Sequence, residues 1–199
     1  MKLSAPHALF FVGTLLQLSQ AQAYDKAVNR FFLLGFEVAT CMIGVVKGRD
    51  EAQIASESSK NIKSYLAEVR APKEIYSLLD RYLESIDSQN RAELDSHMIL
   101  LINNIADHGK REYGNSGYHA SLFGMWAGMV TVSIALGENP YEIVKSGRDF
   151  LPWLENDRRF KSRKILANLL DYRHTDINQP DFAQNYMRAL YTLVQSFSL

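Results

Sequence analysis

Cysteine is almost missing from this chain: Cys41 is the only one in 199 residues. One thiol closes no intramolecular disulfide and builds no cysteine-based metal centre, so a packed core has to hold the fold. An excess of either charge is missing too. Lys plus Arg number 22, and Asp plus Glu number 22. Such a balance exerts no overall pull on nucleic acid or anionic lipid, and nucleic-acid binding is not expected. The local basic cluster Asn156–Lys164 (NDRRFKSRK) reads as a solvated helix face, with a phosphate-binding face as the alternative. Convincing apolar–polar alternation is absent, which argues against strands. A phosphate loop, a GxSxG elbow, a dinucleotide fingerprint, a CxxCH haem motif and HExxH are all absent. These absences lean against an enzyme without excluding one, and no cofactor or metal is implied.

What is there is apolar material at helical spacing. Hydrophobic residues make up 47% of the chain, enough for a core of its own. Apolar residues recur every three or four positions through nearly its whole length. Pro72 opens a helix whose stripe is Ile75, Leu78, Leu79 and Tyr82. Asn139, Pro140 and Glu142 form a capping-box start. The pattern predicts helices near 26–47, 50–69, 72–86, 90–108, 118–136, 140–155, 158–172 and 180–197. The expected fold is therefore all-α, a single bundle of about eight helices.

The first residues form an address. Lys2 supplies a positive start, Ala8–Leu18 an apolar stretch too short for a span, and Ala21 and Ala23 the small residues a signal peptidase selects. Residues 1–23 are expected to be a cleaved signal, leaving a helical domain over 24–199 in the periplasm or outside the cell. An amphipathic first helix is the alternative.

Two helices stand out. A shift of 89 residues lays Gly35 on Gly124, Ala39 on Gly128 and Gly48 on Gly137. The same shift lays Met98 on Met187, Leu101 on Leu190 and Ile105 on Val194. Residues 24–112 and 113–199 thus read as tandem four-helix units related by a pseudo-two-fold. Each unit opens with a small-xxx-small pair, which lets another backbone approach. The expectation is that these two helices cross at the bundle centre. A membrane protein is the weaker alternative. Phe31–Val46 is short for a span and carries an acid near its middle, whereas Gly114–Gly137 holds no charged residue.

Glu37 is that acid, and the 89-residue shift sets it opposite Trp126. Three readings remain: an edge position paired with Arg30 or another cation, a polar group in a ligand pocket beside Trp126, or a general acid or base. His97, His108 and His119 are spaced by about three helical turns, but Gly109 and the GNSG break at Gly114–Gly117 should interrupt the helix. Surface or capping histidines are the expectation. Cys41, in an apolar run, reads as a core filler.

The segment Asp107–His119 (DHGKREYGNSGYH) is expected to be a loop between the two units. Lys110, Arg111, Tyr113, Tyr118 and His119 on it are candidate contacts for a protein or carbohydrate partner. The resulting expectation is an exported helical binding protein without catalysis, in its sharpest form an immunity or inhibitor protein. Its partner would be a protein or a small ligand. The alternatives are an enzyme using Glu37 as acid or base and a membrane-associated helical protein.

Overall fold

The computed structural model describes residues 23–41, 51–87, 91–136 and the isolated positions 185 and 188. Residues 1–22 of the expected signal, the basic cluster Asn156–Lys164 and the helices expected at 140–155 and 158–172 lie outside the described residues. So does the last expected helix, except Asn185 and Arg188, which are helical. The chain forms two compact units, residues 27–129 and residues 1–26 with 130–199. The contacts below belong to the first.

All regular elements among the described residues are α-helices: α1 Ala23–Thr40, α2 Glu51–Glu68, α3 Lys73–Asp87, α4 Arg91–Tyr113 and α5 Asn115–Leu136. The three middle helices are amphipathic. On α2 the buried apolar positions include Ile62, Tyr65 and Leu66, continued by Val69 just past its end; on α3 they are Ile75, Leu79, Tyr82 and Ile86. Both sets follow the three-and-four spacing of one helix face. By contrast, every residue of α1 from Val28 onward is buried, including Phe31, Phe32, Leu34 and Phe36. A helix buried on all sides belongs in the centre, even though this one carries Arg30 and Glu37. Full burial of each such phenylalanine contributes about 1.5–3 kcal/mol.

Helices α1 and α5 meet backbone to backbone. A β-carbon on Gly35 would collide with the Ser121 carbonyl and lie 2.8 Å from the Met125 nitrogen. One on Gly124 would collide with the Phe32 carbonyl, and one on Gly128 would lie 2.7 Å from Ala39 Cβ. The small residues therefore occupy the contact face, as the sequence pattern predicts. Around this crossing, Phe32 packs its ring on Phe123 at 5.6 Å between centroids.

The end of α2 explains how the chain turns toward α3. Arg70 adopts φ 52°. Its amide donates to the Ala67 carbonyl (3.1 Å), and the Ala71 amide donates to the Leu66 carbonyl (2.9 Å). This is a Schellman cap, with arginine where glycine is usual, and Pro72 then blocks any continuation. His108 Nε2 lies 2.9 Å from the Val69 carbonyl, adding a buried bond at the same helix end. Tyr82 ties α3 to α1 by donating its hydroxyl to the Val38 carbonyl at 2.7 Å.

The segment expected as a loop over 107–119 is not one. Helix α4 runs through Gly109 to Tyr113, and α5 begins at Asn115. Gly114 alone separates them, at φ 62°, the left-handed conformation that ends a helix in one residue. Gly109 does not break α4. A β-carbon there would lie 2.7 Å from the Gly117 carbonyl and 3.1 Å from the Phe31 ring. Glycine at 109 and 117 lets the two helices approach closely at the corner, which offsets the ~1 kcal/mol glycine costs inside a helix.

Candidate functional site

The seven candidate residues fall into separate surroundings. The first is the corner of α4 and α5. Lys110 and Arg111 are exposed on the last turn of α4. The Lys110 ammonium lies 5.4 Å from the centre of the Tyr118 ring, a cation–π distance. Tyr118 meets His119 edge to face at 5.5 Å. His119 has its imidazole pKa lowered from 6.5, chiefly by burial, with Lys110 adding to this and a bond to the Asn115 backbone opposing it. Tyr113 turns the other way and packs edge-on against Phe31 of α1, at 5.7 Å. The corner thus presents Lys110 and Arg111, with Glu112 exposed beside them, and the half-buried Tyr118 ring. Lys110 and Arg111 also have a local role, since cations at a helix C-terminus complement its dipole.

The second environment surrounds Glu37, on the part of α1 that lies toward α2. Glu37 is 4% exposed. Its Oε1 has no hydrogen-bond partner. Burial raises its pKa from 4.5 to about 7, and a side-chain hydrogen bond with Asn61 of α2 offsets only part of this. The expected edge position is therefore wrong in one respect: Glu37 is in the interior. Arg30, the cation expected beside it, pairs with Glu68 of α2, Nε to Oε2 at 2.7 Å. Its guanidinium also lies 5.0 Å from the centre of the Tyr65 ring. Tyr65 in turn has its phenol pKa raised to about 12 by burial and by the charge of Glu37, with Arg30 opposing. Asn61, Tyr65 and Glu68 are site residues that the sequence reading missed. They lie on an ordinary amphipathic helix, and nothing in their spacing marks them.

Trp126 is buried and stacks on Phe123 at 5.3 Å. Two residues after Gly124, it sits about 200° round α5 from the face that meets α1. Its ring packs on Phe123, whereas the Glu37 carboxyl bonds the Asn61 side chain.

The three histidines do not form one cluster along a continuous helix. His97 and His108 share α4, and His119 lies on α5. His108 bonds the Val69 carbonyl and packs its ring 5.7 Å from Phe31. Among the described residues no three His, Cys, Asp or Glu side chains group as a metal site. Cys41 is buried and outside any disulfide. Among the described residues no helix is long and apolar enough to cross a membrane. Compared with known proteins, the chain matches no family model, no curated protein and no solved structure.

Proposed function

We propose that the chain is an exported helical binding protein without catalysis, and that it recognises a protein partner through the α4–α5 corner. The observation that carries this reading is the corner itself. Lys110 and Arg111 are exposed, Lys110 sits over the Tyr118 ring, and a single residue, Gly114, joins the helices. A rigid support lowers the entropy lost on docking, and arginine and tyrosine are the residue types that anchor interfaces. Two cations select a partner with an acidic patch. The immunity or inhibitor type is the sharpest form of this proposal. It acts by a preformed helical corner rather than by an inserted loop. Export rests on the order of Lys2, Ala8–Leu18 and Ala21–Ala23. The intact mass of the protein recovered from its exporting cell tests it, and a full-length product refutes it.

The finer fold proposal is a bundle of eight helices made by duplication. It is supported by a reciprocal contact. Gly35 meets Ser121 and Met125, while Gly124 meets Phe32 and Phe36. A shift of 89 residues converts each set into the other.

A pull-down from the native compartment tests the binding reading. Recovery of one stoichiometric partner, lost on combining Lys110→Glu with Tyr118→Ala, is the expected result. Capture unaffected by both changes excludes the corner. The second reading, an enzyme with Glu37 as acid or base, is favoured by the buried carboxyl with an unpaired oxygen. A small-molecule thermal shift abolished by Glu37→Gln, without any protein partner, selects it.

A further inference from the structure

We infer that Glu37 is a proton-operated latch: its neutral carboxyl keeps α1 seated against α2, and loss of the proton loosens that contact. The inference does not depend on what the protein binds.

The geometry makes the carboxylate an unwelcome charge. Glu37 is 4% exposed, and its Oε1 has no partner. Arg30, about two turns away on the same face of α1, is engaged by Glu68 and by the Tyr65 ring. A buried carboxylate without a dedicated cation is costly and is relieved by taking up a proton or by admitting water. The opposite side of α1 cannot yield. There Gly35 already lies against the Ser121 carbonyl and Gly124 against the Phe32 carbonyl. Among the described elements, accommodation of the charge therefore comes on the side of α2, where Asn61 holds the carboxyl by one hydrogen bond.

Among the described residues, the groups around α1 do not supply another switch of the same sign. On α2, Tyr65 stays neutral to about pH 12 and Glu68 is paired with Arg30. On α3, Tyr82 is held neutral by complete burial, which raises its phenol well above the ordinary value of 10.0. On α4, Tyr113 and His108 pack against Phe31. The face of α5 against α1 offers Ser121, Gly124, Met125 and Gly128, none of them titratable. His108 stays in place in the comparison below, so its contacts with the Val69 carbonyl and Phe31 are common to both proteins.

The sign follows from the raised affinity for the proton. With a folded value near 7 against 4.5 unfolded, the neutral acid stabilises the fold fully below pH 4.5. That stabilisation is lost as pH rises through about 7. Between pH 5 and 8 the unfolding constant should rise roughly 70-fold from this group alone.

The test uses the full chain and Glu37→Gln, which keeps shape and removes the charge while leaving His108 in place. The expected result has three parts. The wild-type unfolding constant rises roughly 70-fold more than that of the variant between pH 5 and 8. Amide exchange over 30–40, corrected for intrinsic rate, accelerates in the wild type ahead of that over 75–86. The carbon-13 shift of the Glu37 carboxyl titrates near 7 in the wild type, a readout that needs no variant. A carboxyl midpoint near 4.5, equal pH dependence of the two proteins, or a uniform rise in exchange along the chain each overturns the latch.

Discussion

Gly35 and Gly124 are reciprocal partners at one helix crossing. Where Gly35 lies against the Ser121 carbonyl of α5, Gly124 lies against the Phe32 carbonyl of α1. Neither position has room for a side chain, because the obstacle in each case is backbone and cannot rotate away.

Gly124→Leu is accordingly expected to overpack the crossing and to cost at least 1–3 kcal/mol, roughly the penalty of inserting methylenes into a full core. Gly128→Leu meets Ala39 Cβ and the Phe36 carbonyl and should behave alike. Urea titration of each variant measures it. A melting curve unchanged in both would mean that the helices do not cross there.

Tyr82→Phe removes the hydroxyl that donates to the Val38 carbonyl across α3 and α1. The ring still fills its site, so the loss is that of one buried hydrogen bond, about 1 kcal/mol. Equilibrium unfolding in denaturant reads it directly, and the denaturant slope should be unaltered.

Arg70 and Gly114 are expected to respond in opposite directions. Both have positive φ, 52° and 62°. Arg70→Gly removes the crowding of a side chain in the left-handed region and should stabilise by up to about 1 kcal/mol. Gly114→Ala introduces that crowding and should destabilise by about 1–2 kcal/mol, although a β-carbon there meets no neighbour. Thermal melts of the two variants on either side of wild type would confirm the pair.

The acid side of the pH profile is expected to depend on His119. Its folded pKa is lowered, so the neutral ring is favoured and stability is present above about 6.5. That contribution is lost as pH falls below 6.5 toward the folded value, the opposite sign to Glu37. His119→Gln should flatten this limb of a stability–pH curve, leaving in place the loss of stability that Glu37 causes as pH rises. A limb of unchanged slope would show that His119 is not its source.

Helical class was legible from the chain because the three-and-four spacing of residues such as Ile75, Leu79, Tyr82 and Ile86 is a local property. The crossing of α1 and α5 was legible as well, since glycine inside an apolar helix has few uses besides close approach. The corner was misread for a related reason. Gly109 looks like a helix breaker in isolation, and only the return of Gly117 against it shows that its missing side chain is what α4 needs. A glycine serves as a break or as a contact, and sequence spacing cannot separate the two when the contacting segment is the next helix.

Glu37 marks the clearest division between the two levels. The sequence determined that an ionisable group would stand in an apolar helix seven residues after an arginine, and hence that its protonation would matter. Only the tertiary structure decided the partners. Glu68, 38 residues from Arg30 along the chain, takes the guanidinium, and Asn61 is left to Glu37. The physical reason is that periodicity tells which face of a helix is covered, while electrostatic pairing depends on distances of a few ångströms between helices. Those distances exist only after the backbones at Gly35 and Gly124 have closed on one another.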